Sequence, residues 1–278
     1  MIFDGKKLRD EILLEIKNKI IKENIDATLA IILVGDNDAS KIYIKNKVNA
    51  CNEVGIKVKT FILDENTSEL EVINLIKELS DNKDITGIIL QSPVPSQINF
   101  DTCCTFINSD KDVDGFTKDN IYGLYLNSER MIPCTVKGIV KIFKKNNINL
   151  TGANIVIVGR GNIVGKPLLH ALLNRDATVT ICNSKTKNLK NITKNADIVV
   201  SATGIPHLIK KDMVKKGVII IDVGISRLNG KITGDVDFEN VKKKAKFITP
   251  TPGGVGPMTV AMILENILVS YERMNKNG

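Results

Sequence analysis

The stretch Asn154 to Leu169, NIVIVGRGNIVGKPLL, carries the reading of the fold. It opens on a β-branched run, Ile155 to Val158, whose unbroken apolar character is that of a strand buried in a parallel sheet. Gly159, Gly161 and Gly165 follow, then Pro167 and an apolar helical segment through Leu173. A strand, a glycine turn and a helix N-terminus together direct backbone N–H groups at a phosphate. The spacing G-x-G-x-x-x-G is one residue longer than the common dinucleotide fingerprint, so a tight turn without a ligand is the competing reading. The rest of the chain arbitrates.

Downstream, strands are expected over 177–182, 197–202 and 218–223 and near Phe247, with a helix over 164–174. Upstream the same alternation runs through the first hundred residues. Leu8, Ile12, Ile16 and Ile20 lie at helical spacing; Thr28 to Val34 is a strand ended by Gly35. Asp38 or Ser40 can cap a helix that runs to Val54, where Gly55 stops it. Lys57 to Leu63 is a strand, Ser68 to Leu79 a helix with Glu71 in capping-box position, and Thr86 to Gln91 a strand. This βαβαβ order implies a parallel sheet. From Ser92 to Arg130 regular signals fade, and long irregular connections in compact proteins tend to be functional. Thr135 to Asn146 reads as a helix linking two halves, and Met258 to Met274 as a terminal helix. The expected architecture is α/β in two lobes with a ligand cleft between them.

Composition bounds the function. The chain has 278 residues, 43% hydrophobic and 25% charged, enough for two domains with their own cores. A net charge of +8 suits nucleic acid, a membrane surface or an acidic small molecule. The lysines are scattered among acids, however, and aromatics make up only 4%, which leaves few stacking platforms for single strands. Five cysteines without C-x-x-C spacing and only two histidines argue against a zinc site and for reduced thiols. The first residues lack an apolar signal core and no run approaches a membrane span, so a cytoplasmic protein with no membrane partner is expected.

Several residues have the chemistry of a site. Ser40, Tyr43 and Lys47 fall within about a 60° sector of a helix, since each residue turns ~100°. That sector flanks the apolar positions Ile44, Val48 and Cys51, where a lysine is partly desolvated and usable as acid or base. The alternative is a snorkelling lysine beside a boundary tyrosine. Gln91 ends a strand before Ser92-Pro93-Val94-Pro95, at the edge where parallel sheets bind ligands; it can hold an amine or merely form a turn. Asp110 to Gly115 superficially resembles a calcium loop but lacks the bidentate glutamate and flanking helices, and no metal is expected. One aspartate fixed there by Gly115 can bind a guanidine-like ring edge. The second strand of the dinucleotide unit ends Cys182-Asn183-Ser184-Lys185 with no acid, which leaves room for a 2′-phosphate near Arg160, Ser184 and Lys185. The segment Thr249 to Thr259, TPTPGGVGPMT, has glycines that permit close backbone approach, and Pro257 pre-sets the last helix.

Taken in order, SKIYIKNK, ILQSPVP, DKDVDGF, PCTVKG, GRGNIVGKP, ADIVVSATG, IIIDVGI, GDVDF and TPGGVGPMT resemble the bifunctional methylenetetrahydrofolate dehydrogenase/cyclohydrolase family over nearly the whole chain. The resemblance implies a three-layer α/β catalytic, folate-binding lobe at 1–119, a Rossmann-type lobe at 120–257, and a C-terminal helix, 258–278, that returns to the first. It implies a homodimer acting on folate, polyglutamylated in the cell, with NADP as cofactor and no nucleic acid. It also implies roles: Lys47 as central acid/base, Tyr43 stacking on the folate, Gln91 holding Lys47, and Asp114 anchoring the pterin. Gly159, Arg160, Gly161, Ser184 and Ile225 would line the cofactor, and the Gly253 to Thr259 loop, with Gly256 and Pro257, would border the nicotinamide and folate.

The implied chemistry is oxidation of methylenetetrahydrofolate to the methenyl form, then hydrolysis to the formyl product in one-carbon metabolism. Four positions depart from the family pattern: Gly161 for serine, Ser92 for leucine, Val136 for proline and Asn183 for histidine. Gly161 and Asn183 bear on the choice of NADP over NAD. Three rivals remain: an NAD-linked dehydrogenase without hydrolysis, a two-lobed dehydrogenase of a small acid, and a basic nucleic-acid-binding protein.

Overall fold

A computed structural model describes residues 1–276, apart from the side chains of residues 38, 39 and 276. It forms two compact units, and the chain enters each of them twice: Met1–Arg9 with Thr135–Thr259 in one, Asp10–Cys134 with Val260 onward in the other.

The unit built on Asp10–Cys134 follows α1 (Gly5–Glu23), β1 (Thr28–Val34), α2 (Asp38–Val54), β2 (Lys57–Leu63), α3 (Glu69–Asp81) and β3 (Gly87–Leu90). Its three strands lie in the order β2-β1-β3, all parallel. Every residue of the central strand β1 is buried, so both its faces are apolar, whereas β2 alternates as an edge strand does. One face of the sheet, with Ala30, Ile32, Val34, Ile88 and Leu90, packs on Val72, Ile73, Ile76 and Leu79 of α3. Ser68 and Glu71 close a reciprocal capping box at the start of α3. Gly55 ends α2 in the left-handed region at φ 95°. The cap of α2 is Asn37, not Asp38 or Ser40: Asn37 has the extended backbone a cap needs, and its side chain accepts the Ser40 N–H at 3.0 Å.

Residues 92–130 are less irregular than their sequence suggests. They hold α4 (Phe100–Cys104) and α5 (Lys118–Tyr125), elements too short to imprint a helical period. The sheet strand there is Gly87–Leu90, which leaves Gln91 just beyond its end.

The helix α6 (Cys134–Lys145) leads into the other unit, which follows β4 (Asn154–Val158), α7 (Gly165–Leu173), β5 (Thr178–Cys182), α8 (Leu189–Lys194), β6 (Ile198–Ser201) and β7 (Ile219–Asp222). A hairpin of β8 (Ser226–Leu228) and β9 (Lys231–Thr233), then α9 (Phe238–Val241), β10 (Phe247–Ile248) and α10 (Val255–Lys276), complete the chain. The order β10-β7-β6-β4-β5 is parallel throughout and reverses between β4 and β6, the point where doubly wound sheets bind ligands. The first residues fasten its far edge: Ile2 bridges Ile248, Phe3 N donates to Ile248 O at 2.9 Å, and Gly5 N to Gly253 O at 2.9 Å. A Cβ on Gly5 would lie 1.9 Å from Gly254 O, so only glycine fits there. The helix α10 begins at Val255, so Gly256 and Pro257 lie in its first turn and not in a loop. Among the described residues, no helix is long and apolar enough to cross a membrane.

Candidate active site

Lys47 projects from α2 beside the C-terminal end of β3. Its Nζ donates to Gln91 Oε1 at 3.0 Å, and both side chains are only 8% exposed. Gln91 is held in turn: its Nε2 donates to Ser92 O at 2.7 Å, and its backbone N–H to Ile32 O at 2.8 Å. The amide therefore presents its oxygen to the lysine and its nitrogen to the chain, which fixes the amide orientation. Lys47 is thus no snorkelling surface lysine. Its charge also reaches Cys51, whose thiol is pushed up to about 12 by burial against the opposing pull of Lys47. Tyr43, one helical turn earlier on the same face, is 48% exposed and offers an open ring.

The Asp110 to Gly115 loop divides its labour residue by residue. Lys111 is buried, and its Nζ donates to Ser80 O at 2.6 Å and Asn82 O at 2.7 Å, satisfying carbonyls at the end of α3. Asp112 is fully enclosed and accepts Gly115 N at 2.8 Å, Thr117 N at 2.7 Å and Asn120 Nδ2 at 2.9 Å. Val113 O accepts Asn266 Nδ2 at 2.9 Å. Asp114 is half-buried, with Lys47, Asp112 and Cys134 as the groups that act on its carboxyl. Burial raises that carboxyl above its ordinary value; Lys47 pulls it down, Asp112 pushes it up, and a hydrogen bond with Cys134 lowers it. An acid, an amine and an open aromatic ring are thereby grouped at one sheet edge.

The glycine turn after β4 tests whether a dinucleotide fits. Gly159 has φ +116°, and a Cβ there would lie 2.3 Å from Ala202 O, beyond β6. A Cβ on Gly165 would lie 2.1 Å from Gly159 O. These two glycines let strand, turn and helix close on one another at the point of strand reversal. Gly161 is different: nothing lies within 4 Å of its Cβ position. The first helical turn of α7 follows, with Lys166 N bonded back to Gly161 O at 3.1 Å. Val158 and Cys182 are the last register partners of β4 and β5, and Arg160 and Ser184, each two residues beyond its strand, are both exposed. Asn183 is spent on its own turn: Oδ1 accepts Lys185 N at 2.9 Å, and its N–H reaches Thr186 Oγ1 at 2.9 Å. That Asx turn holds Ser184 and Lys185 outward. Ile225, beyond β7, is 52% exposed. A glycine cradle, an exposed cation and hydroxyl, and a β5 end with no acid fit a 2′-phosphorylated dinucleotide.

The structure brings Lys47, Gln91, Tyr43 and Asp114 together in one unit, and Gly159, Arg160, Gly161, Ser184 and Ile225 along one sheet edge in the other. Gly256 and Pro257 lie in the first turn of α10, and both are accessible. Residues that sequence reasoning passed over are Lys111, Asp112 and Asn266, which build the Asp114 loop. An acid two residues before a site acid carries no signal of its own. The hairpin β8–β9 had one: Asn229-Gly230 adopts positive φ at both positions, as two-residue hairpin turns require.

The family descriptions that match are "Tetrahydrofolate dehydrogenase/cyclohydrolase, catalytic domain" over residues 3–114 and "Tetrahydrofolate dehydrogenase/cyclohydrolase, NAD(P)-binding domain" over residues 133–275. The chain is 49% identical to the bifunctional protein FolD of Aquifex aeolicus, with 98% of this chain and 96% of that protein covered. The crystal structure of the bifunctional FolD dehydrogenase/cyclohydrolase of Campylobacter jejuni superposes with a TM-score of 0.96 at 47% identity, covering 98% of this chain and 99% of that one. The Trypanosoma brucei enzyme, solved with NADP cofactor and an inhibitor, superposes with a TM-score of 0.93 at 29% identity, covering 98% and 97%.

Proposed function

The chain belongs to the tetrahydrofolate dehydrogenase/cyclohydrolase family, and from that premise we propose that Lys47, held by Gln91, is the acid/base of its folate chemistry. The protein is a bifunctional enzyme that oxidises 5,10-methylenetetrahydrofolate to the methenyl form and hydrolyses that to 10-formyltetrahydrofolate. NADP supplies the hydride acceptor. The observation that carries the residue assignment is the buried Lys47–Gln91 hydrogen bond at 3.0 Å.

The methenyl ring is cationic, and its hydrolysis needs water to lose a proton as it attacks, a ring nitrogen to gain one as the ring opens, and the new hydroxyl to lose its own as the carbonyl forms, with one proton released overall. A buried amine with a neutral hydrogen-bond partner serves these transfers, because a cation beside it disfavours the ammonium form. Gln91 is a positioning residue that keeps the amine aimed without adding charge. Asp114 takes the guanidine-like edge of the pterin in a pair of charge-assisted hydrogen bonds, which compensate the burial that raises its carboxyl. Tyr43 covers the ring face. On the dinucleotide edge, Gly159 and Gly161 receive the pyrophosphate, Arg160 and Ser184 the 2′-phosphate, Ile225 packs on the cofactor, and Gly256 and Pro257 border the reacting rings.

The basic surface suits a polyglutamylated folate, and the enzyme works as a cytoplasmic homodimer. The catalytic, folate-binding domain is the unit built on Asp10–Cys134 with Val260 onward, and the dinucleotide domain the unit built on Thr135–Thr259 with Met1–Arg9. The test is a pair of variants. Lys47→Met abolishes methenyl hydrolysis and leaves NADP binding intact; Arg160→Ala raises KM for NADP about tenfold or more, since a charge-assisted hydrogen bond contributes roughly 1.5–3 kcal/mol, and leaves hydrolysis intact. Normal hydrolysis by the lysine variant, followed as loss of methenyl absorbance, would remove Lys47 from the mechanism.

A further inference from the structure

Asp114 lies between two peptide groups, and both of their carbonyls are held by groups distant in sequence. Val113 O accepts Asn266 Nδ2 at 2.9 Å and the Cys134 thiol at 3.1 Å. Asp114 O accepts the Cys134 N–H at 3.4 Å. Asn266, on α10, also reaches Ile132 O at 3.2 Å and Cys134 Sγ at 3.5 Å. Cys134 and Asn266 are each 1% exposed. Gly115, at φ +83°, completes the grip: a Cβ there would lie 2.7 Å from Pro133 N, so the loop is pressed onto the backbone of residues 132–134. The backbone of Asp114 is thus fixed on both sides by that segment and by one side chain of α10.

The available hydrogens decide which group donates to which. The Asn266 amide nitrogen has two, and its nearest acceptors are Val113 O and Ile132 O, with the sulfur farther off. Val113 O is thereby satisfied without the thiol. Cys134 has a single S–H, and its acceptors are Val113 O and the Asp114 carboxyl. With the carbonyl already served, the ionised carboxylate is the stronger acceptor of the two. A carboxylate held at one lone pair cannot swivel freely, and its remaining lone pairs meet a ring edge at a set angle.

We propose that Asn266 and Cys134 form a relay that positions the Asp114 carboxylate for the pterin: the amide occupies Val113 O, and the thiol it frees holds the carboxylate in the rotamer that meets the guanidine-like ring edge. The inference rests on the assignment of Asp114 as the pterin anchor. Buried as they are, Asn266 and Cys134 are positioning residues that act through Asp114 and not on substrate. Loss of the thiol frees the carboxyl to turn and weakens folate, with NADP unaffected.

Cys134→Ala removes the thiol, and Cys134→Ser returns a hydroxyl donor at the same place. Tetrahydrofolate and NADP are each titrated calorimetrically into wild type and variants, with Cys134→Ala made both alone and on an Asp114→Ala background. Cys134→Ala is expected to raise the folate Kd about tenfold, the factor of one hydrogen bond to a charged group, and to leave the NADP Kd within about twofold of wild type. Cys134→Ser is expected to recover most of that loss. On Asp114→Ala, the loss of the thiol is expected to add less than about twofold, because residues that act through one another are not additive. A thiol that merely fills the core would cost the same factor in both backgrounds. Asn266→Leu leaves Val113 O to the thiol and is expected to repeat the alanine pattern. A wild-type folate Kd in Cys134→Ala, an equal factor in both backgrounds, or no recovery with serine overturns the relay, even if Asn266→Leu does not fold. A folded Asn266→Leu with the wild-type folate Kd overturns it too. Asp114→Ala separates the failures: unchanged folate affinity there defeats the pterin anchor, whereas weakened affinity with Cys134→Ala unmoved defeats the relay alone.

Discussion

Gln91→Glu is the sharpest probe of the folate site. It replaces a neutral acceptor 3.0 Å from Lys47 Nζ with a carboxylate of the same shape, at a position 8% exposed. An opposite charge that close favours the charged form of its partner by roughly 1–3 pK units, or about 1.4–4 kcal/mol. Every step that needs the free amine then slows about tenfold to a thousandfold, because ~1.4 kcal/mol is a factor of ten in rate. The substitution also turns the donor to Ser92 O, made at 2.7 Å by the native amide, into a second acceptor, so Gln91→Met is the companion that removes the acceptor without adding charge. The Met variant should lose about tenfold to a hundredfold in hydrolysis through poorer aim, in line with the ~1.5–3 kcal/mol of a charged hydrogen bond. The assay is methenyl hydrolysis, with NADP affinity measured separately. The Glu variant should hydrolyse at least about tenfold more slowly than wild type, and NADP affinity should be unchanged in both. Hydrolysis by Gln91→Glu within twofold of wild type would refute the role given to the pair.

Asp112→Asn and Asp114→Asn should part company. The first sets an amide against one of three donors, at 2.7–2.9 Å, and should lower Tm by roughly 3–12 °C, from ~1.5–3 kcal/mol at 2–4 °C each. The second should leave Tm unchanged or higher at pH 7 while weakening folate: a carboxyl raised from 3.8 by burial loses stability as pH rises from that value, and an amide does not. Equal Tm losses in a thermal melt would contradict this division. Gly161→Ser meets open space, so it should fold, gain about 0.4–1 kcal/mol through a less flexible unfolded chain, and lower KM for NADP about 2- to 10-fold by a neutral hydrogen bond of ~0.5–1.5 kcal/mol. An unchanged KM would place the phosphate elsewhere.

How much of this was legible in the chain depends on range. Strands β1 and β4 read directly because burial on both faces leaves an apolar run, and the capping box at Ser68 and Glu71 read because its partners are three residues apart. The helices α4 and α5 left no period to detect. The split between Asp112 and Asp114 was invisible because it is made by Asn120, Thr117 and Lys47, which converge only in space. The pairing of Phe3 with Ile248, and the bonds from the Asp235 and Val236 N–H groups to Asp222, likewise arise from folding and not from spacing.

The chain visits each unit twice, and this has a consequence for its birth. Met1 bonds to Lys246, 245 residues later, and Ser270 to Thr86 across 184 residues. At ~5–20 residues per second, Met1 waits on the order of 12–50 s on the ribosome for its partner. The five-stranded sheet waits for β10 and the other unit for α10, so both units close late and nearly together. A break after residue 134 would leave each fragment missing a strand edge or helix made by the other. A break at the exposed Asn229-Gly230 tip would separate only the two short arms of a hairpin. Vectorial synthesis thus couples the maturation of the folate-processing half to that of the dinucleotide half before any ligand is present.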